Sequence, residues 1–161
     1  MPTETAFRGV MGRFATGVTV MTARADGVPH GMTANAVSSV SLDPTLVLVC
    51  VDRGTVMAER VGRAGTFALS LLAADQAELS NRFADPDRPD GDPQFAGVEI
   101  ITAATGAPIL EDALAWLDCR VWATYDGGDH VIVVGEVVDL AETSEASPLV
   151  YYSGGYHRLA P

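Results

Sequence analysis

The sequence predicts a mainly β fold with short helices, built as a closed or partly closed antiparallel barrel. About seven or eight β-rich runs recur along the chain, bounded by Gly, Pro, Asn, Asp or Ser. Only about three short stretches carry helical periodicity. The two kinds of segment do not alternate strand–helix–strand, as a doubly wound parallel sheet requires, so an antiparallel barrel is the economical arrangement. A chain of 161 residues suits one domain over 1–161 and buries enough surface to need no disulfide or metal staple.

Each element has a local reason. Phe7, Val10, Met11 and Phe14 fall at i, i+3, i+4 and i+7, which predicts an amphipathic helix over 4–14, broken by Gly17. Val18 to Arg24 is rich in β-branched residues and reads as a strand. Asp26-Gly27 is a hairpin signal, and the chain returns through Val28 to Thr33. Residues 33–41 are small and polar and read as a connection. Thr45 to Val51 is a continuous apolar run, which predicts a strand buried on both faces. Thr55 caps a short helix to about Arg63, and Gly65 separates it from a strand over Thr66 to Leu72. Asp75 is expected to cap a helix that ends at Phe83. A solvated Pro- and Asp-rich loop follows at 85–93, then short strands near 98–102 and 108–110. Leu114 to Thr124 and His130 to Ala141 form a long hairpin joined by the loop 125–129. The tail, 149–158, reads as a last strand.

Composition excludes several functions. The chain is 48% hydrophobic and 19% charged, with 10 basic and 21 acidic residues and a net charge of −11. All the basic residues are Arg, so neither a lysine Schiff base nor a P-loop is available. The acidic balance argues against nucleic-acid binding and against docking on anionic membranes. Cys50 and Cys119 lie in apolar runs and read as reduced, buried thiols, with a disulfide between them not required. No metal site is legible. Met1 to Gly17 lacks a basic region followed by an apolar core, so it is not read as a signal peptide, and a cytoplasmic protein is expected.

Four segments carry candidate chemistry, each with a plainer alternative. Met32-Thr33-Ala34-Asn35-Ala36-Val37-Ser38-Ser39 combines small residues with hydroxyl and amide groups. It can cradle an oxygen-rich ligand without lysine, or it is an ordinary turn. Asp52-Arg53-Gly54-Thr55 is an anion site at a helix N-terminus, or only a strand-to-helix cap. Gly128-Asp129-His130 places a histidine at a hairpin tip, either against a ligand or idle on the surface. Tyr151 to Arg158 gathers three tyrosines, a histidine and an arginine around two glycines, for stacking on a planar ring or for packing on the barrel. No G-x-S-x-G elbow and no strand-linked G-x-G-x-x-G is present.

The order of these segments resembles the short-chain flavin reductase family, the reductase components of two-component flavin-dependent monooxygenases. The resemblance runs from about Phe7 to Arg158. It is carried by Phe14 to Val20, Gly31 to Ser41, Leu42-Asp43-Pro44 with Leu46 to Val51, Phe67 to Leu72, Ser80-Asn81-Arg82-Phe83, Gly128-Asp129-His130 and Pro148 to Tyr152. It implies an FMN-binding split β-barrel of the antiparallel Greek-key kind, a homodimer, and reduction of FMN or FAD by hydride transfer from NADH or NADPH. Reduced flavin would then diffuse to a partner monooxygenase. By position, it places flavin contacts at Met32, Thr33, Ala34, Asn35, Ala36, Val37, Ser38 and Ser39. Further flavin contacts fall at Cys50, Val51, Asp52, Arg53, Gly54 and Thr55, and at Ser80, Asn81, Arg82 and Phe83. It places the nicotinamide against Asp129, His130, Tyr152, Gly155 and Tyr156, with His130 as the catalytic candidate. Some relatives carry Lys where this chain has Arg53, a planar fork in place of a point charge. A flavin-binding split-barrel carrier without reductase activity is the alternative. A pyridoxamine-phosphate-oxidase-like enzyme fits less well, because it calls for a second phosphate site rich in Lys and Arg.

Overall fold

The computed structural model describes residues 1–160. In chain order the elements are α1 (Glu4–Met11), β1 (Thr16–Gly17), β2 (Thr19–Ala25), β3 (Val28–Ala34), β4 (Val37–Leu42), β5 (Thr45–Asp52), α2 (Val56–Ala64), β6 (Thr66–Leu71) and α3 (Ala77–Ala84). After a 3₁₀ turn at Asp92–Phe95 come β7 (Ile100–Ile101), β8 (Ile109–Leu110), β9 (Ala115–Gly127), β10 (His130–Glu142), β11 (Val150–Tyr152) and β12 (Gly155–His157). Seven strands form one antiparallel sheet in the order β3-β2-β6-β9-β10-β5-β4.

The two edges of that sheet, β3 and β4, are consecutive in sequence and joined only by Asn35 and Ala36. The sheet must therefore roll up until its edges meet at this corner. Cys50 N–H donates to Ala36 O at 3.0 Å and fastens the corner to β5. Away from it β3 and β4 do not pair, which leaves the barrel split.

The barrel interior holds Met21, Val47, Val49, Val51, Phe67, Leu69, Cys119 and Val133, closed at one end by Met57 and Val61 of α2. Thr55 caps α2 as its sequence predicts, and Gly65 ends it at φ +66°. A second cluster joins Val18, Val20 and Leu72 to Phe83, Phe95, Leu110 and Leu149. The small sheet β1-β11-β12 lies against this cluster through Tyr151 and Tyr156. Asp26-Gly27 turns the β2–β3 hairpin with both φ angles positive, as that dipeptide predicts.

Several elements differ from expectation. The segment 37–42 is a strand, not a connection: Ser38 and Ser39 are exposed on an edge strand that pairs with β5, so it shows no apolar alternation. β5 is buried on one face only, with Val47, Val49 and Val51 inward and Leu46, Leu48 and Cys50 half-exposed. The N-cap of α3 is Gln76, without a side-chain cap, because the Gln76 amide oxygen instead accepts from Ala73 N–H at 2.7 Å. β9 runs on to Gly127, which shortens the connection to β10 to Gly128-Asp129. The tail is a hairpin in its own sheet with β1. Both cysteines are free, with Cys119 inside the barrel and Cys50 on the outer face of β5. Burial pushes the Cys119 thiol up to about 12, which makes it inert.

Gly135 lies in β10 where its ladder with β9 shifts register. A Cβ there would sit 2.5 Å from Phe67 Cζ and 3.0 Å from Cys119 Cβ. Gly135→Ala is expected to destabilise the fold by about 2 kcal/mol through overpacking, read by urea unfolding. Unchanged stability would show that Phe67 has room to move.

Candidate active site

A groove of about 470 Å3 opens at the split. Its lining includes Met32 and Thr33 from the end of β3, Gly54 and Thr55 from the start of α2, and Phe83 from α3. A smaller pocket of about 230 Å3 shares Thr33 with it and extends to Asn35, Tyr151 and Tyr156. Segments far apart in sequence thus converge because β3 ends where the barrel closes.

Side-chain bonds fix these walls. Thr33 Oγ1 donates to Ser80 O at 2.6 Å, and Ser80 Oγ lies 2.6 Å from Tyr156 Oη, which ties β3, α3 and β12 together. Asn35 Nδ2 donates to Thr16 Oγ1 at 3.2 Å. Gly31 has no side chain where a Cβ would meet Phe83 Cε1 at 2.6 Å, so Phe83 can pack directly against β3. At the other end, Asp52 Oδ1 accepts from Gly54 N–H at 2.7 Å, while Thr55 Oγ1 donates to Asp52 O at 2.7 Å and accepts from Ala58 N–H at 3.3 Å. The first N–H groups of α2, at Val56 and Met57, have no intrahelical acceptor, and Val56 also lines the groove.

Not every expected residue reaches the groove. The run Cys50 to Asp52 is β-strand, so neighbouring side chains point to opposite faces. Val51 is therefore buried in the core and Cys50 faces outward; neither lines the groove. Ala34 is buried in the same core. Ser38 and Ser39 lie on β4, and Ser39 and Val37 line a different, apolar groove. Ser80 is buried and acts on the wall through its bonds to Thr33 and Tyr156. Asn81 is exposed, and Arg82 donates to Ala96 O at 2.8 Å on the far side of α3. The Arg53 guanidinium does not line the groove either, because it is bound to the β9–β10 turn. In that turn His130 Nδ1 lies 2.7 Å from Asp129 Oδ1, and this bond holds the Asp129 carboxyl below its usual range. Tyr152 stacks edge-on with His157, and its hydroxyl accepts from Arg13 at 3.3 Å.

The sequence reading missed His30, Arg88 and Asp90, which form the remaining polar wall of the groove. His30 is only 3% exposed. Arg88 donates to Gly31 O from Nε at 3.0 Å and from Nη2 at 2.9 Å, and its Nη2 also reaches His30 Nε2 at 3.1 Å. Arginine only donates, so His30 Nε2 is the acceptor of that bond, while His30 Nδ1 lies 3.1 Å from Asp90 Oδ1 and 2.8 Å from the Gln94 amide nitrogen. Arg60 of α2 binds the other Asp90 oxygen. Asp90 is thus more than a solvated loop residue: it ties the 85–91 loop to β3 and α2. Burial pushes its carboxyl up, but the bonds from His30, Arg60 and Gly91 N–H outweigh this and hold it below the usual range.

Burial, reinforced by the nearby Arg88 charge, lowers the His30 pKa from its ordinary 6.5. The folded state therefore binds fewer protons than the unfolded state just below pH 6.5. Stability contributed by neutral His30 is complete above that pH and declines as pH falls toward the lowered folded value. Thermal unfolding of the wild type is expected to show stability falling as pH drops below 6.5, with His30→Gln showing a flatter profile. Parallel profiles would remove His30 from the account.

Comparison with known proteins identifies the family. The family model described as flavin reductase like domain matches residues 11–160. The flavin-dependent monooxygenase reductase subunit HsaB of Rhodococcus jostii is 39% identical over 157 residues, covering 96% of this chain and 77% of that protein. The structure of BorF, the flavin reductase component of a bacterial two-component tryptophan halogenase, matches with a TM-score of 0.93 at 42% identity, over 99% of each chain. The NADH:FAD oxidoreductase SgcE6 of Streptomyces globisporus, solved in complex with NAD and FAD fragments, matches with a TM-score of 0.90 at 39% identity, over 98% of this chain and 93% of that one. On sequence and on fold alike, the chain belongs to the flavin reductase like domain family.

Proposed function

We propose that the groove at the barrel split holds FMN or FAD and that the Gly128-Asp129-His130 turn and the tail tyrosines position the nicotinamide of NADH or NADPH. The chain is an NAD(P)H-dependent flavin reductase, the component that reduces flavin for a partner monooxygenase. The observation that carries the site reading is the convergence of Thr33, Phe83 and the α2 N-terminus on one groove of ligand size.

The residues present fit a flavin. Met32 gives an apolar wall for a planar ring, backed by the buried Phe83, and Thr33 and Asn35 offer polar groups at its edge. The N-terminus of α2, where the N–H groups of Val56 and Met57 have no intrahelical acceptor, favours an anion, which suits the phosphate end. Bound flavin supplies the redox chemistry by accepting an electron pair from the dihydronicotinamide. The chain's own task is to hold two rings in register and keep water out. His130, at 40% side-chain exposure, is available to a ligand. A net charge of −11 and an open groove suit release of an anionic reduced flavin to a partner by diffusion. Placement in the cytoplasm belongs to the same reading; among the described residues no helix is long and apolar enough to cross a membrane.

A homodimer completes the proposal. α1 buries no residue within the protomer, and Phe7, Val10 and Phe14 are 62%, 71% and 70% exposed. An isolated helix of this length is marginal in water, so an apolar face left open calls for a covering surface. The half-exposed Leu46, Leu48 and Cys50 on the outer face of β5 supply more of the same character. Light scattering is expected to give twice the 16.9 kDa chain mass, and Phe7→Asp with Val10→Asp to give the single mass.

Purified protein mixed with NADH and free flavin is expected to consume NADH only when FMN or FAD is present. His130→Ala is expected to raise the NADH KM about tenfold while flavin affinity stays within about twofold. Saturable flavin binding with no NADH or NADPH oxidation would favour the carrier reading. An unchanged KM in His130→Ala would remove His130 from the nicotinamide site.

A further inference from the structure

We propose that Arg53 is a positioning residue: its guanidinium latches the Gly128-Asp129-His130 turn to the end of β5 and so sets where His130 meets the nicotinamide. The inference rests on the nicotinamide reading given above. It assigns Arg53 to the dinucleotide side of the site in place of the flavin phosphate.

The hairpin tip needs a latch. β6 pairs with β9 only from Thr66 to Leu71, opposite Arg120 to Ala115. One more bond, from Val121 N–H to Gly65 O, ends that support. Beyond it, residues 122–127 have no neighbouring strand on that side, and the tip leans on β10 alone. On the other side the β10–β5 ladder stops at the pair His130 and Asp52. Arg53 continues it by one step, since Arg53 N–H donates to Asp129 O at 3.0 Å.

Its side chain then closes around the turn. Nε donates to Gly128 O at 2.8 Å, and Nη2 donates to Asp126 Oδ1 at 2.5 Å. The same carboxylate oxygen accepts from Gly128 N–H at 3.2 Å. These bonds span the residues just before and within the two-residue turn, so the fork fixes its direction and not merely its distance. Gly128 sits at φ +77° in the first turn position, as a II′ hairpin turn requires, and a Cβ on Gly127 would lie 3.1 Å from His130 O. The turn is tight, so shifting one end moves His130. Asp126 is held below the usual carboxylate range chiefly by its bond from Arg53, and its charge offsets the charge Arg53 would offer a phosphate.

The latch also joins the two ends of the site. Arg53 is followed directly by Gly54, Thr55 and Val56, which line the flavin groove. The nicotinamide turn is therefore fastened to the same backbone that forms the flavin floor. Arg53 is 46% exposed and Asp126 84%, so this pair contributes little to global stability and acts locally.

The test compares Arg53→Met, Asp126→Asn, the double variant and His130→Ala with the wild type. Three quantities are read: NADH KM and kcat, flavin Kd from fluorescence quenching, and deuterium exchange at residues 126–130. The latch predicts that Arg53→Met and Asp126→Asn each raise the NADH KM about tenfold with kcat and flavin Kd within about twofold, and that the double variant is no worse than the worse single one. Exchange at 126–130 is expected to accelerate in both single variants while the core strands stay protected. Arg53→Lys is expected to recover only part of the KM, because a point charge keeps the Asp126 pair and loses the fork to Gly128 O. A flavin Kd about tenfold weaker in Arg53→Met, with Asp126→Asn silent, would overturn the proposal and make Arg53 a phosphate ligand. If His130→Ala raises the KM and the latch variants do not, the proposal alone fails. If His130→Ala leaves the KM unchanged, the nicotinamide placement fails and takes the proposal with it.

Discussion

The site depends on one constraint of chain connectivity. β3 and β4 are the opposite edges of a seven-stranded sheet, yet only Asn35 and Ala36 separate them. Three Cα steps of 3.8 Å reach at most about 11 Å, so the sheet has to curl until its edges touch at that corner. The edges then diverge without pairing, and the groove opens beside β3, between it, the start of α2, and the α3 end with the loop that follows. Closure at one corner and an opening beside it are two results of the same short link. The segment most suggestive in the sequence, Thr33 to Ser39, is important because it is this seam.

Around the seam, charge is handled by pairing instead of exclusion. Arg88 and Arg60 bracket the His30–Asp90 pair on the wall of the groove, while Arg53 and Asp126 bracket the hairpin tip. Guanidinium forks suit both tasks, because they bind carbonyl and carboxylate oxygens in fixed directions. A chain without lysine is thus well equipped to build polar walls with defined geometry, even at a net charge of −11. The two networks divide the labour. One pins the 85–91 loop against β3, and the other pins the β9–β10 turn against the end of β5.

Local features were legible in the sequence and long-range ones were not. Asp26-Gly27, the Thr55 cap and the Gly65 stop each act within a few residues, and each forms as expected. β4 was invisible because it is a serine-rich edge strand whose stability comes from its ladder with β5, not from apolar alternation. Of the residues that family likeness proposes, Thr33, Gly54, Thr55, Phe83 and Tyr156 line the groove or its neighbouring pocket. For Cys50, Val51 and Arg53, strand alternation and the bonds to the hairpin turn decide which side each side chain faces, and the sequence does not display either. The His30 network escaped notice because its members, His30, Arg60, Arg88 and Asp90, lie on three separate segments. The only hint was an arginine set among the aspartates of the 85–93 loop.

The central claim is that flavin binds in the groove at the seam, and filling that groove tests it most directly. Thr33 lines both the main groove and its side pocket, so Thr33→Trp would occupy the ring end of the proposed site. Titration of FMN and FAD fluorescence against wild type and this variant, with circular dichroism and thermal unfolding confirming the fold of each, is the measurement. Saturable quenching by the wild type, with affinity at least about tenfold weaker in a folded Thr33→Trp, is the predicted result. Wild-type affinity in the folded variant would contradict the account and place the flavin elsewhere.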